Sequence, residues 1–390
     1  FFFALLDMLH LLLFLSIVCF VHGGPLSFPV TKRVYLRTLS SAEHDHRIVR
    51  APIRRTDSMA YAKVYVGTPK QEFLMQLDTG SSDFVIRGVP SAVCPKVHVF
   101  QANASNSAAP TQCRSEKAWV YESSFETRPT CAFNIEYGAG NKMSCVVMED
   151  RLSFGVGAKA LQATAYLGLI LAENHPVPWC NGADGIFGLG FDEDAMSGFP
   201  GPLGQLIRGS GLANVYSLYV GSRMGADDGA LTIGGIDSRL FVGEVKYVPL
   251  VEQGKYSVSA HALEVAGRRV ATGPEAFGNM QVDSGTTLTY VPAGTFSAIK
   301  AFMQRHYCHM PKVCGADNAT FFIRDDNEEH CVEAAALPKG YPVMRWHLAN
   351  GVTVDVPPEV YFKQLPGRAD PDKTRFCFGI RPLSDIPVNQ

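Results

Sequence analysis

Apolar and polar residues alternate along much of the chain, with the two-residue period of half-buried β-strands. The alternation is clear over residues 61–66. A Gly-Thr-Pro turn follows at 67–69, and a second run over 72–77 leads directly into Asp78. Short segments of this kind recur between glycines, prolines and asparagines, which is typical of sandwiches and barrels. One stretch, from Ala293 to Tyr307, has the helical period instead. The pattern predicts a mostly β protein with few helices.

An apolar run from Leu11 to Val21 lies near the N-terminus and is followed by glycines at 23 and 24. Its length is that of a signal-peptide core and is short for a membrane span. We therefore predict a signal peptide over residues 1–23, although no basic residue precedes the apolar run. A membrane anchor and a buried helix are the alternatives. Because the chain begins at Phe1, Met8 is a candidate start residue.

Residues 24–57 form a basic stretch, with seven arginines and lysines against three acidic residues. A solvated linker and a basic propeptide that covers an acidic cleft both fit such a composition. From the residues alone, the two interpretations carry equal weight.

Composition narrows the class of protein. The chain has 390 residues, enough for two lobes, and its formal net charge of −2 argues against a general nucleic-acid binder. Ten cysteines favour disulfides if the chain follows a secretory route. Glycosylation sequons at Asn103 and Asn318 support that route weakly, because such triplets also arise by chance.

One local motif occurs twice. Residues 75–82 read Met-Gln-Leu-Asp-Thr-Gly-Ser-Ser, and residues 280–287 read Met-Gln-Val-Asp-Ser-Gly-Thr-Thr. The copies lie 205 residues apart (283 − 78), which excludes a short-period solenoid and indicates two related halves. A single Asp-Thr-Gly is more often an ordinary turn, but two copies of the longer pattern are a strong signal.

Each copy places an aspartate at the end of an apolar strand, before a hydroxyl residue and a glycine. Glycine permits a tight loop and close approach of another backbone, and the hydroxyls can orient the carboxylate. If the halves face each other, Asp78 and Asp283 become neighbours and share one proton. Such a pair can activate a water molecule against a peptide carbonyl without a metal or a cofactor.

Around these motifs the chain resembles the pepsin-like aspartic proteases, over about residues 58–380. Three further segments carry the resemblance: Val66–Pro69 before the first motif, Ile135–Gly140 as the flap, and Asp184–Gly190 as the apolar-apolar-Gly segment behind the first loop. Residues 234–237 through 247–250 look like the crossing between lobes. The resemblance implies a bilobal β fold, with an N-terminal lobe over 58–242, a C-terminal lobe over 243–390 and a cleft between them.

The resemblance also implies roles for single residues. Asp78 and Asp283 are the expected catalytic pair. Loop support is expected from two groups of three residues, one in each motif: Thr79, Gly80 and Ser81, and Ser284, Gly285 and Thr286. Flap and substrate-binding residues are expected at Tyr137, Gly138 and Gly140. Family members carry basic propeptides, so the resemblance favours a propeptide over residues 24–57, with cleavage between Arg47 and Ser58.

Two departures from the family pattern stand out. The family usually has a tryptophan after the first motif, where it bonds the flap tyrosine, whereas this chain has Val85. Substrate preference is therefore not carried over from pepsin. A second apolar-apolar-Gly segment is also expected after Asp283, but none follows before Gln390. We therefore expect an incomplete C-terminal lobe in a truncated chain.

The cysteines outnumber those of pepsin and are closer in pattern to nepenthesin-type plant enzymes and some parasite plasmepsins. The resemblance implies four pairs: Cys94–Cys113, Cys131–Cys145, Cys308–Cys314 and Cys331–Cys377. Cys180 is expected to pair near the C-terminus of a longer chain, with a buried free thiol as the alternative. Sequence alone does not determine the connectivity.

The sequence thus predicts an aspartic endopeptidase of the secretory pathway, extracellular or in a vacuolar or lysosome-like compartment. We expect a monomer that acts on polypeptides, is inhibited by its own propeptide, and needs neither cofactor, metal nor nucleic acid. Two alternatives remain open. One is a pepsin-like protein that binds peptides or inhibits enzymes without cleaving, and the other is a β-rich carbohydrate-binding or adhesion protein.

Overall fold

The structure is a computed structural model, which describes residues 2–6, 16–20, 48–56, 59–91, 97–121, 129–138, 140–155, 160–174, 183–221, 226–314, 321–322, 324–325, 328–329, 331–366 and 373–385. The first fourteen strands are β1 Phe2–Leu6, β2 Ser16–Phe20, β3 Val49–Thr56, β4 Met59–Val66, β5 Gln71–Asp78, β6 Phe84–Arg87, β7 Ala109–Pro110, β8 Trp119–Tyr121, β9 Thr130–Glu136, β10 Lys142–Phe154, β11 Leu161–Glu173, β12 Gly185–Gly188, β13 Tyr216–Tyr219 and β14 Gly229–Ile233.

The remaining strands and the α-helices lie in the C-terminal part, except for α1. The strands are β15 Val245–Pro249, β16 Ser257–Val265, β17 Arg268–Thr272, β18 Asn279–Asp283, β19 Thr289–Val291, β20 Arg324–Asp325, β21 Glu328–Glu329, β22 Cys331–Ala334, β23 Met344–Leu348, β24 Thr353–Val356, β25 Phe362–Pro366, β26 Thr374–Phe378 and β27 Ile380–Pro382. The helices are α1 Pro202–Ile207, α2 Ala293–His306 and α3 Pro358–Tyr361. The prediction of a mostly β protein is confirmed.

The N-terminal lobe is built on one 12-stranded sheet, in the order β13-β14-β3-β4-β5-β12-β6-β11-β10-β9-β8, with β7 paired to β10. The predicted hairpin is its centre, where β4 and β5 pair antiparallel from Tyr61–Gln76 to Val66–Gln71. Alternate side chains of β4 and β5 enter an apolar core that contains Val64, Met75 and Leu77. A second apolar cluster of the same lobe packs beneath β9 and β10.

The C-terminal part contains an eight-stranded sheet, in the order β24-β23-β16-β18-β2-β19-β27, with β17 paired to β16. Its core is a separate apolar cluster that includes Met280, Val282 and Trp346. The predicted helix forms as α2, which buries Ile299 and Met303 against this core. The strand that carries each motif aspartate therefore has a core of its own.

Strand β3 overlaps the range in which the sequence analysis expects the propeptide. It lies within residues 24–57, yet it pairs with β14 on one side and β4 on the other. Its inward side chains are buried, with Ile53 fully so. Arg54 forms a two-point ion pair with Asp227 at 2.7 and 3.0 Å. Removing β3 would unpair two neighbouring strands, so these residues belong to the sheet of the lobe.

Two of the four implied disulfides are present, at Cys308–Cys314 and Cys331–Cys377. The pairs Cys94–Cys113 and Cys131–Cys145 are wrong, because the structure joins Cys113 to Cys131 and leaves Cys145 as a buried free thiol. The pairing of β9 with β10 explains why Cys131 and Cys145 are not joined. Cys145 lies opposite Phe133, so Cys131 is its diagonal neighbour, at a Cα separation of about 7–8 Å, which exceeds the usual disulfide range.

Most of the predicted signal peptide and basic stretch lies outside the described residues, as do Cys94, Cys180 and Asn318. Within the signal-peptide range, β1 pairs antiparallel with β15, and β2 lies between β18 and β19. No helix in the described part of the chain is both long enough and apolar enough to cross a membrane.

Candidate active site

The two motif loops, residues 78–82 and 283–287, begin where a buried strand ends. Strand β5 ends at Asp78 and strand β18 ends at Asp283. In the first loop, the Gly80 amide donates to Asp78 Oδ1 at 2.9 Å, and the Ser81 hydroxyl donates to Asp78 Oδ2.

The second motif loop repeats these hydrogen bonds. The Gly285 amide donates to Asp283 Oδ1 at 2.7 Å, and the Thr286 hydroxyl donates to Asp283 Oδ2. Each carboxylate is thus held by its own loop, through one amide and one hydroxyl.

A reciprocal pair of hydroxyls joins the two loops. The Thr79 amide donates to Ser284 Oγ at 3.1 Å, and the Ser284 amide donates to Thr79 Oγ1 at 2.9 Å. Each hydroxyl also donates to a carbonyl of the opposite strand, from Thr79 to Val282 at 2.9 Å and from Ser284 to Leu77 at 2.8 Å. These four bonds place the ends of β5 and β18 side by side.

The glycines of both motifs are required by the contact between the loops. A Cβ on Gly80 would lie 2.7 Å from the carboxylate atoms of Asp283, and a Cβ on Gly285 would collide with Asp78 Oδ1. A separation under 3 Å is too short for a carbon side chain. Only glycine at both positions lets the two carboxylates meet.

The two carboxyl groups lie close together, and the contact changes the ionisation of Asp78. Burial and, after it, the neighbouring Asp283 raise the pKa of Asp78 to about 8. Asp78 is only 5% exposed, whereas Asp283 is half-buried. Two such close carboxylates resist double ionisation, so the pair retains one proton well above the usual carboxyl range.

Strand β12 supports the first motif loop from behind. It runs parallel to β5, with Gly188 opposite Asp78. The Leu189 amide donates to the Asp78 carbonyl at 2.7 Å, and the Gly190 amide donates to the Ser81 carbonyl at 2.8 Å. The segment 184–190 therefore lies where the family resemblance places it.

The flap is the hairpin of β9 and β10, and its tip spans residues 137–141. The Tyr137 amide donates to the Asn141 carbonyl at 3.0 Å, and the Gly140 amide donates to the Tyr137 carbonyl at 2.7 Å. Gly140 has a φ of +79°, which favours glycine, whereas Gly138 is exposed at the tip. Ala139 lies outside the described residues.

The side chain of Tyr137 points toward the first motif loop. Its hydroxyl is buried close to Ser81 and Asp78, and burial raises the pKa of this hydroxyl well above its usual value. Val85, which replaces the tryptophan of the family, is fully buried in the apolar cluster that Tyr137 contacts. The flap tyrosine therefore faces the loop itself.

Comparison with known proteins identifies the family. The profile described as eukaryotic aspartyl protease matches residues 60–380. The chain belongs to the eukaryotic aspartyl protease family.

Two curated gastricsins and a fungal enzyme are among its relatives. Identity is 28% with gastricsin of Callithrix jacchus, over 80% of this chain and 70% of the relative. It is 27% with gastricsin of Cavia porcellus, over 70% of this chain and 64% of the relative. Rhizopuspepsin-4 of Rhizopus niveus is also 27% identical, over 61% of this chain and 54% of the relative. The chain thus spans 54% to 70% of the length of these relatives.

This aspartyl protease family member also contains a buried acid that the sequence analysis did not single out. Asp83 follows the first motif loop, and its carboxylate accepts hydrogen bonds from the amides of Met196 and Ser197 at 2.7 and 3.0 Å. Burial raises the pKa of Asp83 above its usual value. Its signal in the sequence is an acid immediately before the apolar residues 84–86. In the described part of the chain, no group of three or more His, Cys, Asp or Glu side chains is placed to hold a metal ion.

Proposed function

We propose that this chain is an aspartic endopeptidase that hydrolyses peptide bonds of polypeptides with a water activated between Asp78 and Asp283. The observation that carries the proposal is the contact of two carboxyl groups, each oriented by its own amide and hydroxyl. Sharing of one proton is the established behaviour of the aspartic-protease dyad, and the raised pKa of Asp78 fits it.

The geometry supports different roles for the two aspartates in the reaction. Asp78 is the more buried group and keeps the shared proton, so it donates a hydrogen bond to the carbonyl oxygen of the scissile peptide. Asp283 acts as the base and accepts a proton from the water as it attacks. The leaving amine then takes a proton from the pair. Tyr137, above the first motif loop, closes the site from the flap side and excludes bulk water.

An assay with matched substitutions tests the proposal. The protein is acidified and incubated with a denatured globular protein, with and without a statin-type peptide, whose hydroxyl stands in for the attacking water. Asp78→Asn and Asp283→Asn should each reduce cleavage at least about a thousandfold, because each removes one member of the acid–base pair. Asp355→Asn makes the same change at an exposed carboxylate paired with Arg345 and serves as the control.

Two outcomes would contradict the proposal. One is cleavage that survives in a folded Asp283→Asn variant. The other is a wild-type protein that binds the statin-type peptide and cleaves nothing, which would favour the peptide-binding or inhibitor alternative. Circular dichroism of every variant separates loss of chemistry from loss of fold.

We infer further that the protein matures in the secretory pathway as a monomer with an inhibitory propeptide. Because β3 is a paired strand of the lobe, cleavage is expected before Val49 and not after it. Asn103 is exposed and available as a glycosylation site of that route. Sequencing the mature N-terminus checks the inference, and a terminus that begins after Val49 would contradict it.

A further inference from the structure

A tyrosine of the C-terminal lobe lies directly behind the two motif loops. Tyr256 precedes strand β16 and is 5% exposed. Its hydroxyl donates to the carbonyl of Leu189 at 3.0 Å, across the boundary between the lobes. Its own backbone carbonyl accepts the amide of Val282 at 2.8 Å. Tyr256 is thus bonded both to Leu189, which supports the first motif loop, and to Val282, in the strand that carries Asp283.

These bonds form a continuous path from one aspartate to the other. On the N-terminal side, the amide of Leu189 donates to the carbonyl of Asp78 at 2.7 Å. On the C-terminal side, Val282 is the residue immediately before Asp283. The path therefore runs from the Asp78 carbonyl through the Leu189 peptide units and Tyr256 to the strand end that carries Asp283.

Aromatic neighbours fix the position of the Tyr256 ring. Phe191 lies 4.7 Å away between ring centroids, and Tyr216 lies 6.0 Å away in an edge-on arrangement. The Tyr216 hydroxyl interacts with that of Tyr256 and donates a longer hydrogen bond, of 3.4 Å, to the same Leu189 carbonyl. Because these rings hold Tyr256 on both sides, its hydroxyl is pre-oriented toward Leu189.

The Tyr256 hydroxyl remains a donor over the whole working range of pH. Burial, the dominant cause, raises the pKa of Tyr256 to about 12, and burial likewise raises the pKa of Tyr216 well above its usual value. Neither group titrates near the pKa of about 8 that Asp78 shows. A change in the pH dependence of cleavage after loss of this hydroxyl would therefore come from the aspartate pair.

Another buried tyrosine provides a direct comparison. Tyr361 is 4% exposed, and its hydroxyl donates to the Pro342 carbonyl at 2.8 Å. Its burial and the type of its hydrogen bond match those of Tyr256. However, that bond joins two segments of the C-terminal lobe and does not cross to the other lobe. If Tyr256 had a purely structural role, loss of its hydroxyl and loss of the Tyr361 hydroxyl would have the same effect on the protein.

We propose that Tyr256 is a positioning residue for the aspartate pair. By bonding to Leu189 and to Val282, behind the two motif loops, it sets the separation of Asp78 and Asp283. The inference rests on the proposed endopeptidase function. The cross-bonds of Thr79 and Ser284 hold the loops at their front, and Tyr256 holds the strands behind them. Loss of the rear bond lets the carboxyls separate, which weakens their mutual effect on ionisation.

Tyr256→Phe tests the inference because it removes one hydroxyl and keeps the packed ring. We expect kcat to fall about five- to tenfold, which corresponds to one net hydrogen bond, with KM changed by less than about twofold. The alkaline limb of the kcat/KM profile should move to lower pH, since a more distant Asp283 raises the pKa of Asp78 less. Tyr361→Phe is the matched control and should lose stability only.

Two further variants decide the remaining outcomes. If Tyr256→Phe has the same kcat and pH profile as Tyr361→Phe, the inference is wrong. If the wild type cleaves nothing, or Asp283→Asn stays active, the endopeptidase function fails instead. Tyr216→Phe keeps Tyr256 but removes the hydroxyl that orients it, so it should move the limb in the same direction by less. Should Tyr256→Phe not fold, an unmoved limb in Tyr216→Phe would overturn the inference.

Discussion

The two motif loops have the same internal structure in different surroundings. In each loop, one aspartate accepts an amide from the residue two positions later and a hydroxyl from the residue three positions later. Around the loops, however, the lobes differ. Asp78 is buried beneath the flap, whereas Asp283 is half-buried.

The strands that flank the two aspartates differ as well. β12 runs parallel to the first motif strand, but β2, which occupies the corresponding position, runs antiparallel to the second. The local motif therefore determines how each carboxylate is held, and the surroundings raise the pKa of Asp78. Three pairs of substitutions test this distinction.

Of these three tests, the largest effect is expected from the two motif glycines. Gly80→Ala and Gly285→Ala each place a methyl group against the carboxylate of the opposite lobe. We expect cleavage to fall at least about a hundredfold in both, since displacement of a reacting group by about 1 Å has that cost. Gly285→Ala should be the more severe, because its clash with Asp78 is closer. Steady-state kinetics measure the effect.

The control for the glycines is Gly294→Ala in α2, where a Cβ meets nothing within 4 Å. Neither motif glycine has a left-handed φ, so alanine fits the backbone and only the contact is tested. Full activity in either motif variant would refute the contact between the loops.

A second effect concerns pH and separates the two aspartates. The folded pKa of Asp78 is about 8, above its unfolded value of about 3.9. The folded state therefore holds the proton more tightly. The resulting stabilisation is complete below about pH 4 and is lost as the pH rises through about 8. We expect the free energy of unfolding to decline over this window by up to about 1 kcal/mol per pH unit, as measured by urea unfolding.

Asp78→Asn should remove this decline, because the group that takes up the proton is gone. Asp283→Asn should only reduce it, since burial, the main cause of the raised pKa, remains. If the free energy of unfolding had the same pH dependence in the wild type and in Asp78→Asn, the surroundings would not distinguish the two aspartates.

The smallest expected effect concerns the cross-bonds between the loops. Thr79→Val and Ser284→Ala each leave one amide and one carbonyl without their partner, at a cost of about 1–3 kcal/mol in unfolding free energy. Thr79→Val should cost more, because Thr79 is buried and Ser284 is not. Urea unfolding is the measurement, and Thr164→Val, at an exposed strand position, is the control. A larger cost for Ser284→Ala would reverse the ranking.

Much of the fold was predictable from local patterns. The hairpin of β4 and β5 and the helix α2 follow from their apolar periods. Contacts between distant segments were not predictable. The diagonal placement of Cys131 and Cys145 depends on the register of β9 and β10, which no composition rule supplies. The pairing of β3 depends on β14, about 180 residues further along the chain. Tyr256 and Leu189 are 67 residues apart and carry no shared motif.

The sequence by itself determined how each carboxylate is held, because both motifs place a glycine two residues and a hydroxyl three residues after the aspartate. Hydrogen bonds within one loop need no distant partner, so the spacing alone dictates them. Only the tertiary structure decided the electrostatics of the pair. Burial, the flap above Asp78 and the support behind each strand come from segments far apart in the chain. The effect of a low-polarity environment on a carboxyl pKa exists only once those segments are assembled.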